Sequence, residues 1–329
     1  MKNKYHNIKN FEFESGSVIL KLTIAYQTFG TLNTDKSNVV WVFHALSANA
    51  NVLEWWPGLF GASDYFNPND HFIICVNVIG SPYGSSAPTD LNFPSFTVRD
   101  VVKMQLILAE ALNIDKIKVA IGGSFGGNQA LEFAYSFKGV IDNLILLVSS
   151  AKESAWGKAI HQAQRMAMEA DSTFGTKSGG KKGVKAARGI AMLTYRTSES
   201  YIKSQIDDDE KLDNFKAASY IQYQGDKFEK RFDALSYYYM SKCLDTHNIG
   251  RGRGGIEKAL SEINNKTLLI GIDTDMLITP SQQKFMAQHM PHAIYKEIHS
   301  DFGHDGFLIE TKSISRCIEM FLARSTSVK

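Results

Sequence analysis

The chain has 329 residues, of which 44% are hydrophobic and 21% charged, an ordinary globular balance that excludes a disordered, collagen-like or disulfide-scaffold protein. Thirty-six Lys and Arg against thirty-four Asp and Glu leave a net charge of +2, too small to imply a nucleic-acid partner without a localised basic patch. At about 150 residues per domain, the length suits two domains or one large α/β domain with an insertion. Cys75, Cys243 and Cys317 lie far apart, form no CxxC pair and are odd in number, so a reduced compartment is expected. Residues 1–10 carry three lysines but no apolar h-region follows, and no uncharged apolar run nears the ~20 residues of a membrane span. The expected location is the cytoplasm, with no membrane or nucleic-acid partner.

In chain order, residues 18–26 read as a strand. Residues 38–44 (NVVWVFH) and 72–78 (FIICVNV) are short runs apolar throughout, as strands buried on both faces of a parallel sheet are. Residues 98–112 place apolar side chains at helical spacing, with Thr97 as N-cap and Asp100 at the third position after it. A strand opens at residues 118–121, a helix follows over 126–137, and 144–148 is a further strand. This alternation predicts right-handed βαβ units and a mostly parallel, doubly wound α/β sheet.

The texture changes after Ser150. Residues 151–170 are helical and Met-rich, 176–189 (TKSGGKKGVKAARG) are rich in glycine and lysine, and 195–239 are polar, helical and full of tyrosine. Strand-like sequence returns only at 267–272 and 293–298, and the last helix is expected over 309–323. The chain thus divides into a core of residues 1–150 and 262–329 and a helical insertion of residues 151–261. Such an insertion is expected to cap the carboxyl edge of the sheet, where open α/β folds bind ligands.

Residues 118–121 run into Gly122–Gly123–Ser124–Phe125–Gly126–Gly127 and then a helix, which is G-x-S-x-G in the strand–turn–helix setting it requires. Small residues must flank the serine because the turn is tight. Ser124 is therefore the expected nucleophile, and the Phe125 amide, at a helix N-terminus, an oxyanion donor. A triad built on such a turn runs Ser, then Asp or Glu, then His. His304 lies beyond the last strand, after Gly303, and is the expected base; His299 stands at the strand end and His292 before it. Asp273 and Asp275 compete for the acid, and position slightly favours Asp275. The second oxyanion donor should come from the loop after an early strand, and the Leu46 amide in His44–Ala45–Leu46–Ser47–Ala48 is the candidate, with His44 bracing the loop.

Together, His44–Ala45–Leu46, Gly122–Gly123–Ser124–Phe125–Gly126–Gly127 with Gln129–Ala130–Leu131–Glu132, Asp275–Met276–Leu277 and Gly303–His304–Asp305–Gly306–Phe307–Leu308 resemble the homoserine O-acetyltransferases, acyltransferases of the α/β-hydrolase superfamily. Leu193–Thr194–Tyr195–Arg196 matches as well. The resemblance implies an α/β-hydrolase fold with a helical lid and a homodimer contacting through that lid. It implies acyl transfer from acetyl-CoA to the hydroxyl of L-homoserine, an early step toward methionine, through an acyl-serine and ping-pong kinetics. Succinyl-CoA as donor, L-serine as acceptor, or an esterase or thioesterase with the same triad are the alternatives.

The family's triad carries over to Ser124, Asp275 and His304. Its carboxylate-binding arginine carries over to Arg188, with Arg165 as the rival, and its acidic residue after the histidine to Asp305, facing the substrate's amino or hydroxyl group. No metal or bound cofactor is expected beyond acyl-CoA as co-substrate. Lys177, Lys181, Lys182 and Lys185, or Arg251 and Arg253, could meet CoA phosphates, but mobile, solvated loops are the simpler expectation for both groups.

Overall fold

The computed structural model describes residues 2–326. Its sheet has eight strands: β1 (Lys4–Glu12), β2 (Val18–Phe29), β3 (Val39–Phe43), β4 (Phe72–Val76), β5 (Ile117–Gly123), β6 (Ile141–Leu147), β7 (Lys266–Ile272) and β8 (Ala293–Ile298). They lie in the order β1-β2-β4-β3-β5-β6-β7-β8. β2 is antiparallel to both β1 and β4, and every pairing from β4 to β8 is parallel. Around the sheet stand α1 (Val52–Trp55), α2 (Val98–Ala111) and α3 (Phe125–Ser136). Between β6 and β7 come α4 (Ala155–Glu169), α5 (Lys181–Tyr195), α6 (Ser198–Ser204), α7 (Lys216–Glu229), α8 (Ala234–Asp245) and α9 (Ile256–Ser261). α10 (Pro280–His289), α11 (Gly306–Ile309) and α12 (Thr311–Thr326) complete the chain.

Alternation along the strands builds two cores. Trp41, Phe43, Ala120, Leu144 and Leu269 join one buried cluster with α2 and α3. Val40, Val42, Val119, Ile121, Leu268 and Ile270 join a second on the opposite face, with Ile314 and Ile318 of α12. All five residues of β3 are buried, which is why that run reads as continuously apolar. Each such Val, Ile or Leu contributes about 1.5–3 kcal/mol by leaving water. α2 opens on the anticipated capping box: Asp100 N–H donates to Thr97 Oγ1 at 3.3 Å and Thr97 N–H to Asp100 Oδ2 at 2.8 Å.

β1 is absent from the sequence reading. Its alternation is largely polar and exposed, because it is an edge strand paired only to β2, so it lacks the apolar run that marks the inner strands. The glycine- and lysine-rich stretch also corrects the expectation of a mobile loop: residues 181–189 belong to α5. Val184, Ala187 and Ala191 bury one face, and Gly183 sits against the backbone of Met168 in α4, where a Cβ would collide. The glycines allow close helix packing rather than flexibility. Arg251 and Arg253 are likewise not free. Arg251 pairs with Glu14 at 2.6 Å, and Arg253 pairs with the buried Glu132 of α3.

The segment between β6 and β7 leaves and rejoins the sheet at one neck. Glu153 N–H donates to His247 O at 2.9 Å, Ile249 N–H to Ala151 O at 2.9 Å, and a ring nitrogen of His247 meets Ser150 O at 2.7 Å. Burial pushes the His247 pKa down to about 4, so its ring stays neutral there. No described helix is long and apolar enough to cross a membrane.

Candidate active site

Strand order reverses at β3, which lies between β4 and β5. The loops leaving the carboxyl ends of β3 and β5 therefore flank a crevice, the usual ligand position in open α/β sheets. Ser124 follows β5 directly, with φ 57° and ψ −124°, a strained backbone for a residue with a side chain. The approach of α3 to the strands enforces it. A Cβ on Gly122 would meet the Gly126 backbone, and one on Gly126 would meet the Phe43 carbonyl.

Three side chains remote in sequence meet at this turn. His304 Nε2 lies 2.8 Å from Ser124 Oγ, and His304 Nδ1 lies 2.7 Å from Asp275 Oδ2. A carboxylate only accepts, so Nδ1 carries the proton and Nε2 is left to accept from the serine hydroxyl. Asp275 is held in turn by the amides of Leu277 and Ile278, which donate to its Oδ1 at 2.8 and 3.0 Å. Asp275 and His304 are both 3% exposed. Burial disfavours protonation of His304, but the charge and hydrogen bond of Asp275 outweigh it and hold the pKa above the ordinary histidine value. The ring is packed between Tyr195 and Phe307, at centroid distances of 5.8 and 5.7 Å.

The competing residues pair with each other instead. His299 Nδ1 lies 2.7 Å from Asp273 Oδ2, and Ser300 N–H donates to Asp273 Oδ1 at 3.2 Å. This exposed clasp ties the end of β7 to the end of β8.

The loop after β3 is braced from below. Trp41 Nε1 donates to Gln105 Oε1 at 3.0 Å, Gln105 Nε2 to Gln129 Oε1 at 3.0 Å, and Gln129 Nε2 to His44 O at 3.1 Å. His44 Nε2 accepts from Val78 N–H at 3.2 Å while Nδ1 faces Ala45 O at 2.8 Å. Complete burial lowers the His44 pKa to about 4, which keeps the ring neutral and able to do both. Leu46 borders the cavity above Ser124, and the Phe125 amide opens α3.

That cavity measures about 930 Å³ and is bordered by Ser124, His304, Leu46, Arg188, Tyr195 and Asp305, among others. The Arg188 guanidinium stacks over Tyr195 and Phe228 at 5.4 and 5.0 Å. Its Nε is buried without a hydrogen-bond partner among the described residues. Arg165, its rival, is consumed within the helical segment by Asp245 at 2.7 Å and Ser241 at 3.2 Å. Asp305 receives Arg196 Nε at 2.8 Å through Oδ2. Sequence reasoning gave no role to Tyr195, Arg196, Gln105 or Phe307. For Tyr195 and Arg196 a signal existed in the Leu193–Arg196 motif, but for Gln105 only the folded contact reveals its part.

Comparison with known proteins agrees with this architecture. Residues 38–311 match the family model for the alpha/beta hydrolase fold. A homoserine O-acetyltransferase of Cyclobacterium marinum is 43% identical over 320 residues, covering 94% of this chain and 91% of the relative. The crystal structure of homoserine O-acetyltransferase from Staphylococcus aureus superposes with a TM-score of 0.84 at 32% identity, covering 98% of this chain and 95% of that one. Esterase E22 has a TM-score of 0.89 at 20% identity, covering 98% and 99%, a likeness of fold alone. With its strand order, its serine turn and these relatives taken together, the chain belongs to the α/β-hydrolase superfamily and, within it, to the homoserine O-acetyltransferase family.

Proposed function

We propose that this protein transfers an acetyl group from acetyl-CoA to the side-chain hydroxyl of L-homoserine, with Ser124, His304 and Asp275 as the triad, in the pathway toward methionine. The observation that carries the reading is the hydrogen-bonded run Asp275–His304–Ser124 at the floor of a cavity that also holds an unpaired Arg188. His304 takes the proton of Ser124 as its oxygen attacks the thioester carbonyl. The amides of Leu46 and Phe125 bind the oxyanion; losing one such donor costs about 3–4 kcal/mol in other enzymes. The tetrahedral intermediate collapses, CoA leaves as the thiol with the proton from His304, and an acetyl-serine remains. Homoserine enters with its carboxylate on Arg188 and its ammonium on Asp305, of which one oxygen is already held by Arg196. His304 then deprotonates the homoserine hydroxyl as its oxygen attacks the acetyl carbonyl; the second tetrahedral intermediate collapses, the bond to Ser124 Oγ breaks, and His304 gives its proton to that oxygen.

The order of events is ping-pong, and residues 151–261 act as a lid that keeps water from the acyl-enzyme. The exposed apolar side chains Leu193 of α5 and Ile202 of α6, with Ile206 and Leu212 in the loop before α7, support a homodimer through the lid. The deciding measurement is release of free CoA from acetyl-CoA with and without L-homoserine, with the product identified by mass spectrometry. Release that depends on homoserine and yields O-acetylhomoserine is expected; equal release in its absence makes the protein a thioesterase. Product masses from mixed acyl-CoAs and amino acids separate acetyl from succinyl and homoserine from serine.

A further inference from the structure

Beside the active-site cavity lies a second cleft of about 240 Å³, bordered by Lys177, Lys181, Lys230 and Arg231 and by the carboxylates Glu229 and Asp233. Arg231 borders both spaces, so it marks their junction. Its guanidinium is fixed there: Nη1 donates to Ser47 O at 2.6 Å and to Tyr83 Oη at 3.0 Å, and its Cζ lies over the Phe228 ring, 5.0 Å from the centroid. We propose that this cleft holds the phosphorylated nucleotide end of the acyl-CoA donor, with the pantetheine arm passing Arg231 to bring the thioester to Ser124. The proposal rests on the acyltransferase reading.

Charge accounting supports it. Three lysines of the same helical segment are neutralised, Lys185 by Asp226, Lys203 by Asp301 at 2.6 Å and Lys211 by Asp207 at 2.6 Å, whereas others among the described residues, Lys182 and Lys227 included, are not; what sets the cleft apart is that its unpaired lysines converge on one space with Arg231. Lys177, Lys181 and Lys230 meet no carboxylate within ion-pair distance among the described residues. Of the two acids in the cleft, Asp233 is committed to α8, accepting from Ser236 N–H at 2.7 Å and Ser236 Oγ at 2.9 Å, and burial raises its pKa. Four cations thus face two carboxylates, one of them engaged by Ser236, on a chain whose overall charge is only +2. Clustered cations lining a cleft concentrate a polyanion, and lysines bind phosphoryl oxygens as point charges. The turn carrying Lys177 is held by Gly180 N–H donating to Thr173 Oγ1 at 2.9 Å, so the cluster sits on ordered backbone.

The test uses the full chain and the double substitution Lys181→Glu/Lys230→Glu, both at exposed positions. Calorimetric affinity for CoA and for pantetheine is compared with kcat/KM for acetyl-CoA and for acetyl-pantetheine, which lacks the nucleotide. We expect CoA to bind at least tenfold more weakly and the acetyl-CoA to acetyl-pantetheine ratio of kcat/KM to fall at least tenfold. Added salt should weaken CoA but not pantetheine in the unmodified protein. If the double variant is unstable, Lys177→Glu gives the same comparison. A homoserine-dependent enzyme whose CoA affinity and donor ratio are unmoved overturns the cleft and leaves the transferase standing. Homoserine-independent CoA release with charge-sensitive CoA affinity does the reverse.

Discussion

His304 is the most constrained side chain of the site, and its titration has a definite sign. The base must be neutral to act, so kcat/KM is lost as pH falls through its pKa, and the Asp275 carboxylate places that acid limb above the ordinary 6.5. The ion pair contributes its full stability below the unfolded pKa and loses it as pH rises through the higher folded one. Asp275→Asn removes both the charge and the anionic acceptor; the acid limb should move down and the plateau fall by about 10³–10⁴-fold. A pH profile that keeps its midpoint in that variant would remove Asp275 from the mechanism. Arg188 makes a different demand. Without a hydrogen-bonded anion its buried Nε is an uncompensated donor, so Arg188→Ala should cost little stability yet raise KM for homoserine about 10–100-fold. Acyl-enzyme formation from acetyl-CoA, followed as burst release of CoA, should persist.

Among the elements, α3 and α2 do more than cover the sheet. Gln129 and Gln105 pass a line of hydrogen bonds from Trp41 in β3 to the carbonyl of His44, which fixes the loop bearing Leu46. Gln129→Leu leaves that carbonyl and Gln105 short of a partner. The expected result is a kcat lower by about tenfold or more, with KM values changed far less, because an oxyanion donor is misplaced only where charge develops. Equal falls in kcat for a control substitution at an exposed α2 position would sink this account. α4 and α8 are joined by Asp245, which holds His161 Nδ1 at 2.7 Å and Arg165 at 2.7 Å. Asp245→Ala strands the buried Arg165, and by that mechanism should cost about 3 kcal/mol, read as a lower denaturation midpoint and earlier proteolysis within residues 151–249.

At the scale of the whole molecule, the strand reversal at β3 and the neck at residues 151–153 and 247–249 set the site. The reversal brings the β3 and β5 loops to one crevice, and the neck projects the helices over it. The turn from Tyr195 to Thr197 packs on the His304 loop, with Thr197 Oγ1 donating to Asp301 O at 2.5 Å, so the inserted helices and the His304 loop are mechanically joined. Leu212 is 93% exposed and Ile202 and Ile206 67% each, a cost in water that a second copy would relieve. Ile202→Glu/Leu212→Glu should give a monomer by sedimentation velocity with near-normal far-UV circular dichroism. A variant with the same mass as the unmodified protein would overturn a dimer through this face.

The sequence by itself determined the inner strands, the capped α2 and the serine turn, because these depend on neighbours in the chain: apolar runs, a Thr/Asp pair three apart, glycines beside a serine. It also ordered the triad, but left Asp273 and Asp275 open on local grounds, since both follow the same strand end. The resemblance to the homoserine O-acetyltransferases chose Asp275, and the tertiary structure supplies the physical reason, the histidine that each carboxylate meets. The edge strand β1, the helix hidden in a glycine- and lysine-rich stretch and the glutamine brace were decided at the same level. Each owes its form to a partner far away in the chain: β2, the backbone of α4, and the carbonyl of His44.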